Sequence, residues 1–102
     1  MYIIREVLQC KPGKVKPLLE KFRTISMALR DMDQPPLRLL TDAAGEPFWT
    51  LVAEATVETI EDFFAIEQRL MANDAVRRAM TDYHDLVDSG RREIYRMESS
   101  EP

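Results

Sequence analysis

Two hydrophobic periods alternate along the chain. Residues 2–10 (YIIREVLQC) are dense in Ile, Val, Leu and Tyr, the composition of a strand. From Val15 onward the apolar positions are Val15, Leu18, Leu19, Phe22, Ile25, Leu29 and Met32, a three-to-four spacing that lines one helical face. Pro17 falls in the first turn of that helix, where a missing N–H is best tolerated. Gln34-Pro35-Pro36 must end it, because a residue before proline is pushed out of the α region. Residues 37–41 and 48–55 predict a strand pair, joined by the turn-rich DAAGEP of residues 42–47. Thr59 predicts an N-cap, with Glu61 and Asp62 in the first turn, and Ile60, Phe63, Phe64, Leu70 and Met71 mark the buried side of the second helix. Asn73-Asp74 predicts a break. A further helix then carries Val76, Met80, Tyr83 and Val87 on one stripe, with Ser89-Gly90 as its stop. Residues 92–97 predict a last strand and ESSEP a frayed tail.

The order is β-α-β-β-α-β, with the second helical region in two pieces. That is the split βαβ, or ferredoxin-like, pattern, an α+β fold with a four-stranded antiparallel sheet. Strand alternation puts Tyr2, Ile4, Glu6, Leu8 and Cys10 on one face of the first strand and Ile3, Arg5, Val7 and Gln9 on the other. In the third strand Phe48, Thr50, Val52 and Glu54 oppose Trp49, Leu51, Ala53 and Ala55. Both faces of both strands read as largely apolar, so these two should be central. The last strand, with Arg92, Glu93 and Arg96, should lie at an edge. Helices can cover one face only. A second face of roughly 400 Å² would contribute on the order of 10 kcal/mol per protomer if buried. Association costs about 4–15 kcal/mol. The balance predicts a homodimer that pairs sheet to sheet.

Composition narrows the function classes. A length of 102 residues predicts one domain, placed at residues 1–97, with residues 98–102 as a flexible tail. The net charge is −4, and the nearest thing to a basic cluster, Arg91-Arg92 with Arg96, is interrupted by Glu93, so a nucleic-acid partner is not expected. Cys10 is the lone cysteine, which excludes an intrachain disulfide and a cysteine zinc site. Charges at Arg5 and Glu6 break the apolar core a signal peptide needs, and no window approaches the ~20 apolar residues of a membrane span. A cytoplasmic protein without a membrane partner is the expectation.

Pro12-Gly13-Lys14 is a strand-to-helix corner; a phosphate loop needs a longer glycine-rich nest followed by Lys-Ser/Thr, and Val15 follows here. His84, the only histidine, lies about 40° from Met80 on the helical wheel, at the rim of the apolar stripe. It could reach a pocket mouth as a general base or stand free at the surface. A single histidine supplies no metal-binding spacing, and neither metal nor organic cofactor is called for. Trp49, Tyr83 and Tyr95 are candidate walls for a substrate pocket, with a place in the core as the alternative. Arg5 and Glu54 sit in otherwise apolar strands, where an isolated charge is costly. They should pair with each other or across the dimer, unless Arg5 steadies an anionic substrate. Cys10 reads as a small buried hydrophobe.

The strand ending in REVLQCKPGK, the helix opening ETIEDFFAIEQRL and the closing SGRREIYRM together resemble the dimeric α+β-barrel superfamily, in its antibiotic-biosynthesis-monooxygenase-like and NIPSNAP-like branches. The resemblance spans residues 1–97 and rests on the order and spacing of elements. It implies two sheets packed into a barrel across a homodimer, with a small-molecule pocket between each sheet and its helices. The activity it implies is a cofactor-independent monooxygenase or isomerase acting on an aromatic or cyclic compound. In that reading His84 is the base, Arg5 stabilises the anion, and Trp49, Tyr83 and Tyr95 line the pocket. A non-catalytic binding or accessory protein is the alternative. The haem-degrading branch has an Asn on the first strand beside a Trp and a helical His; here Trp49 and His84 are present but residues 2–10 lack an asparagine, which disfavours haem.

Overall fold

A computed structural model describes residues 1–45 and 47–99. The elements are β1 (Tyr2–Cys10), α1 (Val15–Asp31), β2 (Arg38–Thr41), β3 (Thr50–Val57), α2 (Ile60–Met71), α3 (Asp74–Ala79) and β4 (Val87–Arg96), with a 3₁₀ turn at Tyr83–Asp85. The strands form one antiparallel sheet in the order β2-β3-β1-β4, so the first and third strands are central as their composition predicts. Of the expected tail, residues 100–102 lie outside the described residues.

Local signals set most boundaries. α1 ends at Asp31, short of Gln34-Pro35. Thr59 caps α2 by accepting a hydrogen bond from the Asp62 N–H at 3.0 Å. Asn73 interrupts the helical region and caps α3 through Val76 N–H, also at 3.0 Å. Lys21 on α1 donates to the carbonyl of Ala79, satisfying an acceptor at the end of α3.

Three expectations are corrected by tertiary pairing. β3 begins at Thr50 rather than residue 48: Trp49 has a φ of 62°, and Phe48, at 79% exposure, stands clear of the sheet. Their loop is held by Gln9, whose side-chain amide donates to the carbonyls of Phe48 and Trp49. β4 begins at Val87, so Ser89-Gly90 lies within a strand and stops no helix. Gly90 faces Leu8 across the ladder, and a Cβ there would come within 2.6 Å of Leu8 Cδ2. Its small size leaves that space to the leucine. On α2, Phe64 and Met71 point outward, Met71 at 66% exposure, and no α2 residue is fully buried.

The core lies between the sheet and α1. Cys10, Leu18, Phe22, Leu51 and Ala53 form its centre, with Leu8, Leu19, Ile25 and Leu86 packed around it. Burial pushes the Cys10 thiol above its ordinary pKa, and the charges of Asp42 and Asp88 add to the effect, so this sulfur packs as a hydrophobe.

The opposite sheet face is less apolar than the alternation implies. Arg38, Glu54, Arg5 and Glu93 stand in one register row across all four strands. Arg38 NH2 lies 2.8 Å from Glu54 Oε1, Arg5 Nε 3.2 Å from Glu54 Oε2, and Arg5 NH1 3.7 Å from Glu93 Oε1. Arg91 extends the row, with its Nε 2.8 Å from Glu93 Oε2. Arg5 and Glu54 therefore pair within the chain. The Arg5 Nε is buried without an aligned hydrogen bond, so Coulomb attraction alone holds it there.

A candidate ligand cavity between sheet and helices

On the helix-facing side of β3 the side chains are Leu51, Ala53 and Ala55. Two alanines in alternate positions reach only a short way toward α2, and α2 does not close the gap. The result is an apolar cavity of about 140 Å³, walled by Ile4, Ala53 and Ala55 of the sheet, Ile25 and Leu29 of α1, and Phe63, Ile66 and Leu70 of α2. A more open hollow of about 570 Å³ adjoins it past Phe22, Ile25 and Leu70, reaching Met71, Val76, Met80 and Tyr83.

One polar cluster stands at the junction. Glu6 on β1 and Arg92 on β4 are register partners on the helix-facing side, and α2 brings Glu67 over them. Arg92 Nε donates to Glu6 Oε1 and its NH2 donates to Glu67 Oε2. The guanidinium carbon lies 4.8 Å from the centroid of Phe63, a cation–π contact. Burial alone would lower the Arg92 pKa, but the hydrogen bonds and charges of Glu67 and Glu6 outweigh it and raise it above its ordinary value. Arg92 stays charged at any working pH.

The residues nominated from the sequence are spread over three places. Tyr83 and His84 lie together on the 3₁₀ turn, ring centroids 4.1 Å apart, and line a polar groove beside β4 with Gly90 and Arg92. His84 is exposed there and does not line the apolar cavity. Arg5 and Tyr95 are on the other sheet face, joined through Glu93, to which the Tyr95 hydroxyl donates at 3.2 Å. The hydrogen bond from Arg91 holds the Glu93 carboxyl below its ordinary pKa against the opposing effect of burial, and Tyr95 and Arg5 act in the same direction as Arg91. Trp49 sits in the loop before β3. Sequence reasoning did not find Glu6–Arg92–Glu67. Its one visible signal was Glu6, an acid within an apolar strand; the partners lie 86 and 61 positions further along, out of reach of any local pattern. Among the described residues no group of three or more His, Cys, Asp or Glu could hold a metal ion, and no helix is long and apolar enough to cross a membrane.

This geometry defines a class: an α+β layer of sheet and helices with a partly open, mostly apolar cavity between them. Solved structures share the fold. A NIPSNAP family protein of unknown function from Agrobacterium tumefaciens superposes with a TM-score of 0.81 at 16% identity, covering 100% of this chain and 92% of that one. A NIPSNAP-like domain protein from Burkholderia xenovorans gives 0.81 at 16% identity, over 99% of this chain and 88% of that one. A candidate antibiotic biosynthesis monooxygenase from Nitrosomonas europaea gives 0.73 at 17% identity, over 97% and 100%. At such identities the likeness establishes the α+β fold of the single chain, and the structures that share it come from the two branches the sequence resembles. No family model and no curated protein matches the chain.

Proposed function

We propose that this protein binds a small molecule with an apolar body, about the size of one ring, in the cavity between its sheet and α2. The observation that carries the reading is the cavity itself: about 140 Å³, lined mostly by apolar side chains. Cavities of roughly 150 Å³ with Leu, Ile and Phe walls stay dry and take up benzene. A pocket of this kind with a few convergent polar groups is the default ligand site of a small domain. Toluene titrated into methyl-labelled protein should shift the resonances of Ile25, Leu29 and Leu70. Ala55→Leu, which fills the space from the sheet side, should weaken that binding about tenfold or more while leaving the fold intact. Unchanged spectra with toluene would sink the reading.

In the same reading two copies pair through the sheet face that carries the Arg38–Glu54–Arg5–Glu93 row. Its support is that no helix covers this face, where Leu40 and Tyr95 stand exposed beside charges paired with one another within the chain. Sedimentation at micromolar concentration should return about twice the chain mass, and a clean monomer contradicts the pairing. The oxygenase or isomerase chemistry draws its support from the likeness to candidate monooxygenases, and binding does not require it. Oxygen uptake with a bound compound is the measurement that would add chemistry to binding; none with any bound aromatic removes it.

A further inference from the structure

The cavity is not electrically neutral. The charged side chains that line it are Glu6 and Glu67; Gln34 and Thr56, both uncharged, also border it, and Arg92 stands behind the two carboxylates in the adjoining hollow. Each carboxylate commits one oxygen to Arg92, Oε1 for Glu6 and Oε2 for Glu67, which leaves its second oxygen for another donor. Two carboxylates share a single guanidinium, so the cluster keeps one negative charge in excess. Arg77 also borders the hollow, but Asp74 Oδ1 holds its NH2 at 2.8 Å. The polar end of the site therefore offers acceptors and excess negative charge beside apolar walls.

We infer, on the reading that the cavity binds a ring-sized molecule, that its ligand carries a hydrogen-bond donor, cationic amine before neutral hydroxyl, and that carboxylates of the same shape are rejected. The ring occupies the space above Ala53 and Ala55. The donor group points along β1 to Glu6 and Glu67. Both carboxylates are about one-third exposed, so water can serve an oxygen that a ligand leaves unmatched; a donor gains their attraction and a like charge placed against them is penalised, and the site discriminates by repulsion as much as by attraction.

The test titrates the full-length protein with toluene, benzylamine and benzoate, three compounds of one ring and nearly one size. Benzylamine should bind about tenfold or more tighter than benzoate, with toluene between them. The Glu6→Gln/Glu67→Gln double variant frees Arg92 and should turn the preference toward benzoate. If that variant does not fold, Glu67→Gln alone, made on a partly exposed helix position, should shrink the ratio. Benzoate binding as tightly as benzylamine to the unaltered protein overturns the inference, as does a preference for amine that survives loss of the carboxylates. Toluene binding without any amine preference overturns the inference and leaves the cavity reading standing. Silence with all three overturns both.

Discussion

Leu51→Ala should lower the unfolding free energy by about 3–4 kcal/mol, a loss in the upper range for a single core truncation. Leu51 is 0% exposed, at the point where β3 meets Leu8 of β1 and Thr41 of β2. It belongs to the same cluster as Leu18 and Phe22, which α1 delivers to the sheet. Truncation removes the transfer free energy of three carbons and leaves a void. Hydrogen-bonded strands on both sides keep the surroundings from collapsing into it. Urea denaturation provides the measurement, and Met27→Ala, on the exposed side of α1 at 56% exposure, is the control that should cost less than about 1 kcal/mol. If both variants lost equally little, the core would not lie between the sheet and α1.

Arg92→Met should cost about 1–2 kcal/mol at neutral pH. Removing one partner of a fully buried pair costs about 3–5 kcal/mol, but Arg92, Glu6 and Glu67 are each roughly one-third exposed, so water screens much of the effect. Methionine keeps an apolar stem of similar length and removes the charged guanidinium that lies over Phe63. Two carboxylates then face each other without a cation. The deficit comes from that like-charge repulsion, so it should be full near neutral pH and shrink as acid removes negative charge from the site. Denaturation midpoints of variant and parent should converge on acidification. A deficit independent of pH would mean that Arg92 acts by packing on Phe63 rather than through its charge.

The parts of the fold that were readable in advance are those set by neighbours in the chain. The α1 stripe, its end before Pro35, the Thr59 cap and the break at Asn73 each depend on groups within about four residues, where helical geometry and capping operate. The errors lie where a distant segment decided. Phe48 and Trp49 look like strand residues, but Gln9 holds their carbonyls in a loop. Ser89-Gly90 looks like a helix stop, yet pairing with Gln9 and Leu8 keeps it in β4. Phe64 and Met71 fit an apolar stripe, but α2 turns Phe63, Ile66 and Leu70 to the cavity and leaves those two outside.

From residue order alone come the element types, their succession and the two central strands, because periodicity and caps are properties of short stretches. The cavity and its charge come from folding. Two alanines on β3 become a void only once α2 fails to reach them, and Glu6, Glu67 and Arg92 become one cluster only through the β1–β4 register and the placement of α2. Contacts between segments dozens of residues apart have no period in the chain, and the fold alone brings them together.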